Sequence, residues 1–329
     1  MNLSRRKLLR LASAAAALPT MSRIAAAQSY PTRPIRLIVP FPPGGAADAI
    51  GRPWADKMKT LLGTVVVENM GGGGSSLGAA SVAHATPDGY TVLLGGSLPH
   101  VLESMLKTKP LYDPVRDLEP ISNIADSAFA IAVHPSVRAH TLMELADHAK
   151  ANPGKLSYAS PGVGTLPHLT IELFKSLAGN LDMVHVPYRG AGPALTDLMG
   201  GQVQIFSASV TGQVVQLHRS GKLRVLAVTS GARLVAAPEF PTVGETGFPT
   251  LKAPVHWGLF APARTPNAIV EQVAEATRKA LAEPAYRQFL IDGCFEPDVD
   301  STPAKFRNLL AEDVTRWTPV VKALGFRID

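Results

Sequence analysis

The stretch Val39-Pro40-Phe41-Pro42-Pro43-Gly44-Gly45-Ala46-Ala47-Asp48 decides how the rest of the chain is read. It follows an apolar run, Ile35-Arg36-Leu37-Ile38-Val39, with the composition of a buried strand. It leads into a helical pattern that starts at Ala46. Strand, glycine turn, helix is the opening unit of an α/β chain. The prolines stiffen the turn, and the glycines let its backbone approach a ligand. The helix start offers unpaired N–H groups with partial positive charge, which suits an anion. No Gly-Lys-Ser/Thr and no G-x-G-x-x-G is present, so this is neither a P-loop nor a dinucleotide fingerprint. An ordinary tight βα turn has the same composition, and the loop alone leaves both readings open.

The same logic recurs downstream. Ala159-Ser160-Pro161-Gly162-Val163-Gly164-Thr165 and Val186-Pro187-Tyr188-Arg189-Gly190-Ala191-Gly192 each join a strand pattern to a helix start. Several such loops at strand ends would converge on one crevice, which favours the anion site. Gly71–Ser76 is a further flexible turn but reads better as a plain connection. Strands are expected at Val65–Val67, Tyr90–Leu94, Leu156–Ala159, Met183–Val186, Val203–Phe206 and Val225–Val228. Helices are expected at Ala46–Leu62, Ser76–His84, Val101–Lys107, Thr141–Ala151, Leu166–Ala178, Ala191–Met199, Pro266–Ala282 and Pro303–Leu324, with Pro53 kinking the first or starting a new turn. The alternation implies parallel sheets. Two long extended stretches, Ile121–Val133 and Pro254–Ala261, read as paired crossings between two lobes. Lobe one then comprises 28–130 plus 256–329, and lobe two 131–255, a geometry that permits hinge closure.

The N-terminus is an export signal. Ser4-Arg5-Arg6-Lys7-Leu8-Leu9 has the twin-arginine pattern, an apolar run reaches Leu18, and Ala25-Ala26-Ala27 offers a cleavage site before Gln28. The apolar run falls short of the about 20 residues a bilayer span needs. Residues 1–27 hold five basic residues (Arg5, Arg6, Lys7, Arg10, Arg23) and no acidic one, so removing them takes the formal net charge from +6 to +1. That balance removes the case for nucleic acid. The single cysteine, Cys294, excludes an intrachain disulfide and reads as a small core residue. No H-E-x-x-H and no Cys/His zinc spacing is present. No catalytic residue, metal or cofactor is expected, and His168 reads as a packing or solvated histidine.

Taken in order, the loops resemble the solute-receptor family of tripartite tricarboxylate transporters, the Bug family. Its marks are Tyr30–Ile35, Val39–Asp48, Val67-Glu68-Asn69, Pro87-Asp88-Gly89-Tyr90-Thr91, Tyr112-Asp113-Pro114, Val186–Gly190, Pro193–Leu198, Gly221–Arg224, Pro241-Thr242-Val243 and Trp257–Pro262. The resemblance covers essentially the whole mature chain. It implies a Venus-flytrap periplasmic binding protein, two α/β lobes joined by two crossing strands, with a small organic carboxylate held in the cleft. Carried over by position, the site comprises Phe41, Pro42, Gly44, Gly45, Asp48, Ser97, Ser160, Gly162, Gly164, Thr165, Tyr188 and Ser207. Phe41 would be an apolar wall, Gly44 and Gly45 amide donors, and Tyr188 a hydroxyl donor. Asp48 would organise the loop.

Departures from the family pattern carry information. Ser207 stands where members often have an aspartate that could pair with an ammonium, which points to a ligand without a free amine. Val163, Leu166-Pro167 and Pro99-His100 suggest a less polar pocket for an aromatic or branched carboxylate. The function so implied is a monomeric periplasmic receptor that captures a carboxylate for a tripartite transporter's membrane subunits. A periplasmic sensor with the same ligand is the alternative. An enzyme is not suggested.

Overall fold

Ile35–Val39 (β1) is apolar at every position but Arg36, and it becomes a strand buried on both faces. Arg36 points outward and forms a two-pronged ion pair with Glu68 on the neighbouring strand, at 2.8 and 2.7 Å. The computed structural model describes residues 30–96 and 106–325, and the compact unit that carries everything below begins at Arg33. The expected export signal, the turn at Ser97 and most of the helix expected over Val101–Lys107 lie outside the described residues.

Ten strands are described: β1, β2 (Val65–Asn69), β3 (Thr91–Gly96), β4 (Leu118–Val133), β5 (Leu156–Ser160), β6 (Met183–Pro187), β7 (Ile205–Ser209), β8 (Arg224–Val228), β9 (Pro254–Pro262) and β10 (Glu296–Pro297). The helices are α1 (Ala46–Leu61), α2 (Ser76–Ala83), α3 (Leu142–Ala151), α4 (Leu166–Leu177), α5 (Ala191–Met199), α6 (Gly212–Arg219), α7 (Asn267–Ala282), α8 (Pro284–Asp292) and α9 (Pro303–Leu324). The sheet order is β2-β1-β3-β9-β4-β7-β5-β6, with β8 and β10 also on β4.

The pairing is mixed, which corrects the expectation of parallel sheets. β1 is parallel to β2 and β3, and β5 to β6 and β7. β9 runs antiparallel to both β3 and β4, and β4 antiparallel to β7 and β8. Strand direction is set by the path of the chain and not by composition: β4 and β9 run against each other from the Leu118–Pro262 pair to the Ala128–Pro254 pair. β4 is long enough to serve two neighbourhoods. Leu118–Ala128 pairs β9, and Phe129–Val133 pairs β7 and β8.

Alternation along the strands sorts side chains between two helical layers. Ile131, Tyr158 and Ile205 pack with α3 and α4. Ala130, Ala159, Phe206 and Ala208 pack with α5 and α6. Cys294 is buried in that second layer, as a small core residue should be, and burial pushes its thiol up to about 11. Around β1, helix α2 and the Phe306–Leu310 face of α9 cover Ile38, Leu93 and Phe260. On α1 a glycine eases the packing on the sheet: a β-carbon on Gly51 would meet the Leu94 side chain at 3.0 Å. Trp54 on α1 is fully buried, and its indole donates to Thr277 Oγ1 of α7 at 3.1 Å. Truncating such a residue costs about 3–5 kcal/mol. Pro53 is accommodated within α1, which runs on to Leu61.

Candidate ligand-binding cleft

β1, β5, β6 and β7 each end at one opening, and the loop after each runs directly into a helix. The loop after β1 contributes Phe41–Ala47 at the start of α1. The loop after β5 contributes Pro161, Thr165 and Pro167 at the start of α4. Gly190–Pro193 starts α5, and Ser209, Thr211 and Gln213 start α6. Phe129 of β4 and Trp257 of β9 complete the walls of a cleft with about 780 Å³ of empty space, partly open to solvent. Four helix N-termini thus face one volume, and the positive ends of their dipoles add there.

Three of these termini are uncapped. Gly45, Thr165 and Gly190 make no side-chain cap bond, whereas Thr211 of α6 accepts from Val214 N–H. Thr165 is the informative one. The threonines that open α3 and α9, Thr141 and Thr302, both spend their hydroxyls capping their own helix, accepting from Glu144 and Lys305 N–H. Thr165 instead donates its hydroxyl to Gly162 O at 2.8 Å. The described lining contains no Lys, Arg, His, Asp or Glu. An anion there would be met by backbone amides and dipoles, among aromatic and aliphatic walls.

The sequence-derived site residues divide into three groups. Phe41, Pro42, Gly44, Gly45 and Thr165 line the cleft. A second group stands behind it. Asp48 Oδ2 accepts from Gly44 N–H at 3.2 Å and Arg52 Nε at 2.9 Å, and its Oδ1 accepts from Asn69 Nδ2 at 3.1 Å. Burial raises its pKa, but the bonds from Arg52, Asn69 and Gly44 outweigh that and leave it below the usual carboxylate value. Ser160, Gly162 and Gly164 shape the loop below the cleft. Tyr188 donates its hydroxyl to Asp197 Oδ2 at 2.6 Å rather than into the cleft. Ser207 is buried; alternation sends Phe206 and Ala208 to the cleft side and leaves Ser207 opposite, with its hydroxyl making no hydrogen bond among the described residues. Ser97 lies outside the described residues.

Other lining residues escaped the sequence reading: Phe129, Phe206, Ser209, Thr211, Gln213 and Trp257. Thr211 carried an available signal, a β-branched hydroxyl ahead of Gly212-Gln213-Val214-Val215 after an apolar strand, which is an N-cap pattern.

The loops across the opening are in contact. Gly190 faces the Pro42 ring, where an added β-carbon would stand at 3.4 Å. One on Gly74 would come within 2.9 Å of Val163 O.

Fold and cleft together define a periplasmic-binding-protein architecture, and the comparisons agree. Residues 50–326 match the family described as "Tripartite tricarboxylate transporter family receptor", and the chain belongs to that family, one of solute receptors and not of enzymes. Three solved structures are similar. The periplasmic binding protein BugD is 32% identical, TM-score 0.84, covering 91% of this chain and 99% of its own. MatC from Rhodopseudomonas palustris, with bound malate, is 30% identical, TM-score 0.84, over 89% and 100%. Rpa4515 of R. palustris, with adipate, is 28% identical, TM-score 0.85, over 91% and 99%.

Proposed function

We propose that this chain is an exported periplasmic receptor that binds a small organic carboxylate and delivers it to the membrane subunits of a tripartite tricarboxylate-type transporter. The observation that carries the reading is the convergence of four helix N-termini, three of them uncapped, on a cleft without a charged side chain among its described lining residues. The malate and adipate held by MatC and Rpa4515 support the carboxylate class. The amides that follow Gly44 at the start of α1 and Thr165 at the start of α4 would take the carboxylate, and Phe41, Pro42 and Trp257 its body. No acidic group lines the described cleft to balance an ammonium, which favours an amine-free ligand with an apolar body. Residues 1–27 act as a twin-arginine export signal cleaved after Ala27, and the mature chain works as a monomer. Its two lobes, 28–130 plus 256–329 and 131–255, close about the β4–β9 pair.

Calorimetric titration of residues 28–329, unfolded and refolded to strip carried-over ligand, tests this. The panel holds mono-, di- and tricarboxylates, aromatic acids and acidic amino acids. The expected result is a single-site response to amine-free acids at about micromolar Kd, near −8 kcal/mol. Silence across the panel from folded protein rejects the carboxylate reading, and tight aspartate or glutamate binding rejects the amine-free one.

A further inference from the structure

Beneath the cleft, three rings are stacked. Tyr158 of β5 lies on His185 of β6 with centroids 4.7 Å apart, and His185 lies on His168 of α4 at 3.9 Å. His168 is fully buried and His185 half-buried. Both rings reach the loop that runs from β5 into α4. Gly164 N–H donates to His168 Nδ1 at 3.1 Å, and Ser160 Oγ stands 2.8 Å from His185 Nε2. Ser160 Oγ also donates to Gly162 O at 3.1 Å and accepts from Gly162 N–H at 3.3 Å. Ser160 has one proton, so when it serves Gly162 O, His185 Nε2 carries the proton of their shared bond.

The Gly162 carbonyl is the centre of this arrangement. It accepts from Ser160 Oγ, Thr165 Oγ1 and, at 3.3 Å, Thr165 N–H. A carbonyl oxygen near an anion repels it. Three donors occupy this one, and Thr165, having given its hydroxyl to it, leaves the first turn of α4 uncapped. Gly162 and Gly164 have φ of +154° and +74°, backbone that side chains disfavour, so the loop needs outside partners to hold its shape.

We propose that Ser160, His168 and His185 are positioning residues of the cleft, fixing the loop Ser160–Thr165 so that α4 presents free amides to the ligand and its nearest carbonyl is neutralised. This rests on the cleft being the anion site. The rings must stay neutral, because a proton on His168 Nδ1 would oppose Gly164 N–H. The titratable groups around them are Tyr158 on β5 and Glu172 and Lys175 on α4. Tyr158 donates to Glu172, and Lys175 Nζ donates to Glu172 Oε1 at 2.7 Å. Burial above all, then His185 and Lys175, holds His168 down to about 3. Burial, helped by Lys175 against the pull of Glu172, holds His185 down to about 4.

The test compares His168→Leu with His168→Asn, since asparagine can set an amide oxygen near the place of Nδ1 and keep the Gly164 bond. Ser160→Ala removes the hydroxyl and leaves the stack intact. Hydrogen exchange of the peptide over 160–166, without ligand, is read beside calorimetric affinity for adipate. The expected result for His168→Leu and Ser160→Ala is at least 10-fold faster exchange and at least 10-fold weaker adipate binding. His168→Asn should stay within about 3-fold of the parent in both. Parent-like exchange in Ser160→Ala, or His168→Asn failing as His168→Leu does, overturns the proposal. If His168→Leu does not fold, Ser160→Ala and His168→Asn decide it. A parent chain that ignores adipate counts against that acid as ligand, while the exchange measurement still judges the loop.

Discussion

Single residues at the cleft have separable tasks. Gly44 has φ +89° and is needed for the turn itself, whereas a β-carbon at Gly45 would meet nothing within 4 Å. Gly45→Asp therefore adds a negative charge at an uncapped helix N-terminus without a steric cause. It should weaken carboxylate binding at least 10-fold with thermal stability nearly unchanged, and Gly45→Ala should bind within about 2-fold. Equal affinities for the two variants would move the anion away from this terminus. The glycines and Thr165 were legible in the sequence because a turn's chemistry is written in its residue types. Tyr188 and Ser207 show the limit. Nothing in Val186–Gly190 announces that Asp197, near the far end of α5, takes the Tyr188 hydroxyl. Which of Phe206 and Ser207 faces the cleft depends on strand register, and an apolar strand buried on both faces does not encode it.

Among the elements, the long periodic helices and apolar strands were readable, and so were the short α2 and α5, which follow glycine turns; α6 and α8 were not. Helix α6, Gly-Gln-Val-Val-Gln-Leu-His-Arg, alternates apolar and polar residues without a sustained helical period, although its first turn lines the cleft. Antiparallel pairing was hidden for another reason: strand direction is a property of the whole path and leaves no mark on a strand's composition. β9 packs closely against α9. A β-carbon on Gly258 would overlap the Phe306 ring and stand 2.7 Å from Ser122 O. Backbone lies on one side and a buried ring on the other, so neither yields cheaply. Gly258→Ala should cost about 2 kcal/mol or more, read as a lower urea midpoint at unchanged slope. A midpoint equal to the parent's would mean that the β4–β9–α9 stack is looser than described.

At the scale of the molecule, ligand binding and protonation can both be followed. Trp257 lines the cleft, while Trp54 is sealed between α1 and α7. Ligand should change tryptophan emission in the parent and in Trp54→Phe, and the change should vanish in Trp257→Phe. Persistence in Trp257→Phe would place the reporting motion elsewhere. Two imidazoles with pKa values lowered to about 3 and about 4 are neutral in the folded chain and gain a second proton on unfolding below about 6.5. Their contribution is complete above pH 6.5 and is lost as pH falls towards 4, by up to about 1.4 kcal/mol per pH unit for each ring. His256 has the opposite sign. Burial lowers its pKa, but Asp126 and Asp313 more than offset that and leave it raised. Its contribution is complete below pH 6.5 and is lost on the alkaline side. Urea midpoints at pH 7, 6 and 5 should fall in that order, less steeply in His168→Asn, and a flat series would mean that the ring stack opens readily to water.

The place of β9 in the strand order sets a timetable for folding. Its neighbours β3 and β4 end by Gly96 and Val133, yet β9 begins only at Pro254. As the chain lengthens, β5, β6, β7 and β8 can all pair before any residue of β9 exists. Meanwhile β3 waits with one edge open, and so does the first part of β4. Unpaired edges invite pairing with other chains. A chain stopped just before Pro254 should hold a formed β4–β8 region and still aggregate through its early strands. The last quarter of the sequence thus completes the sheet that the first third begins.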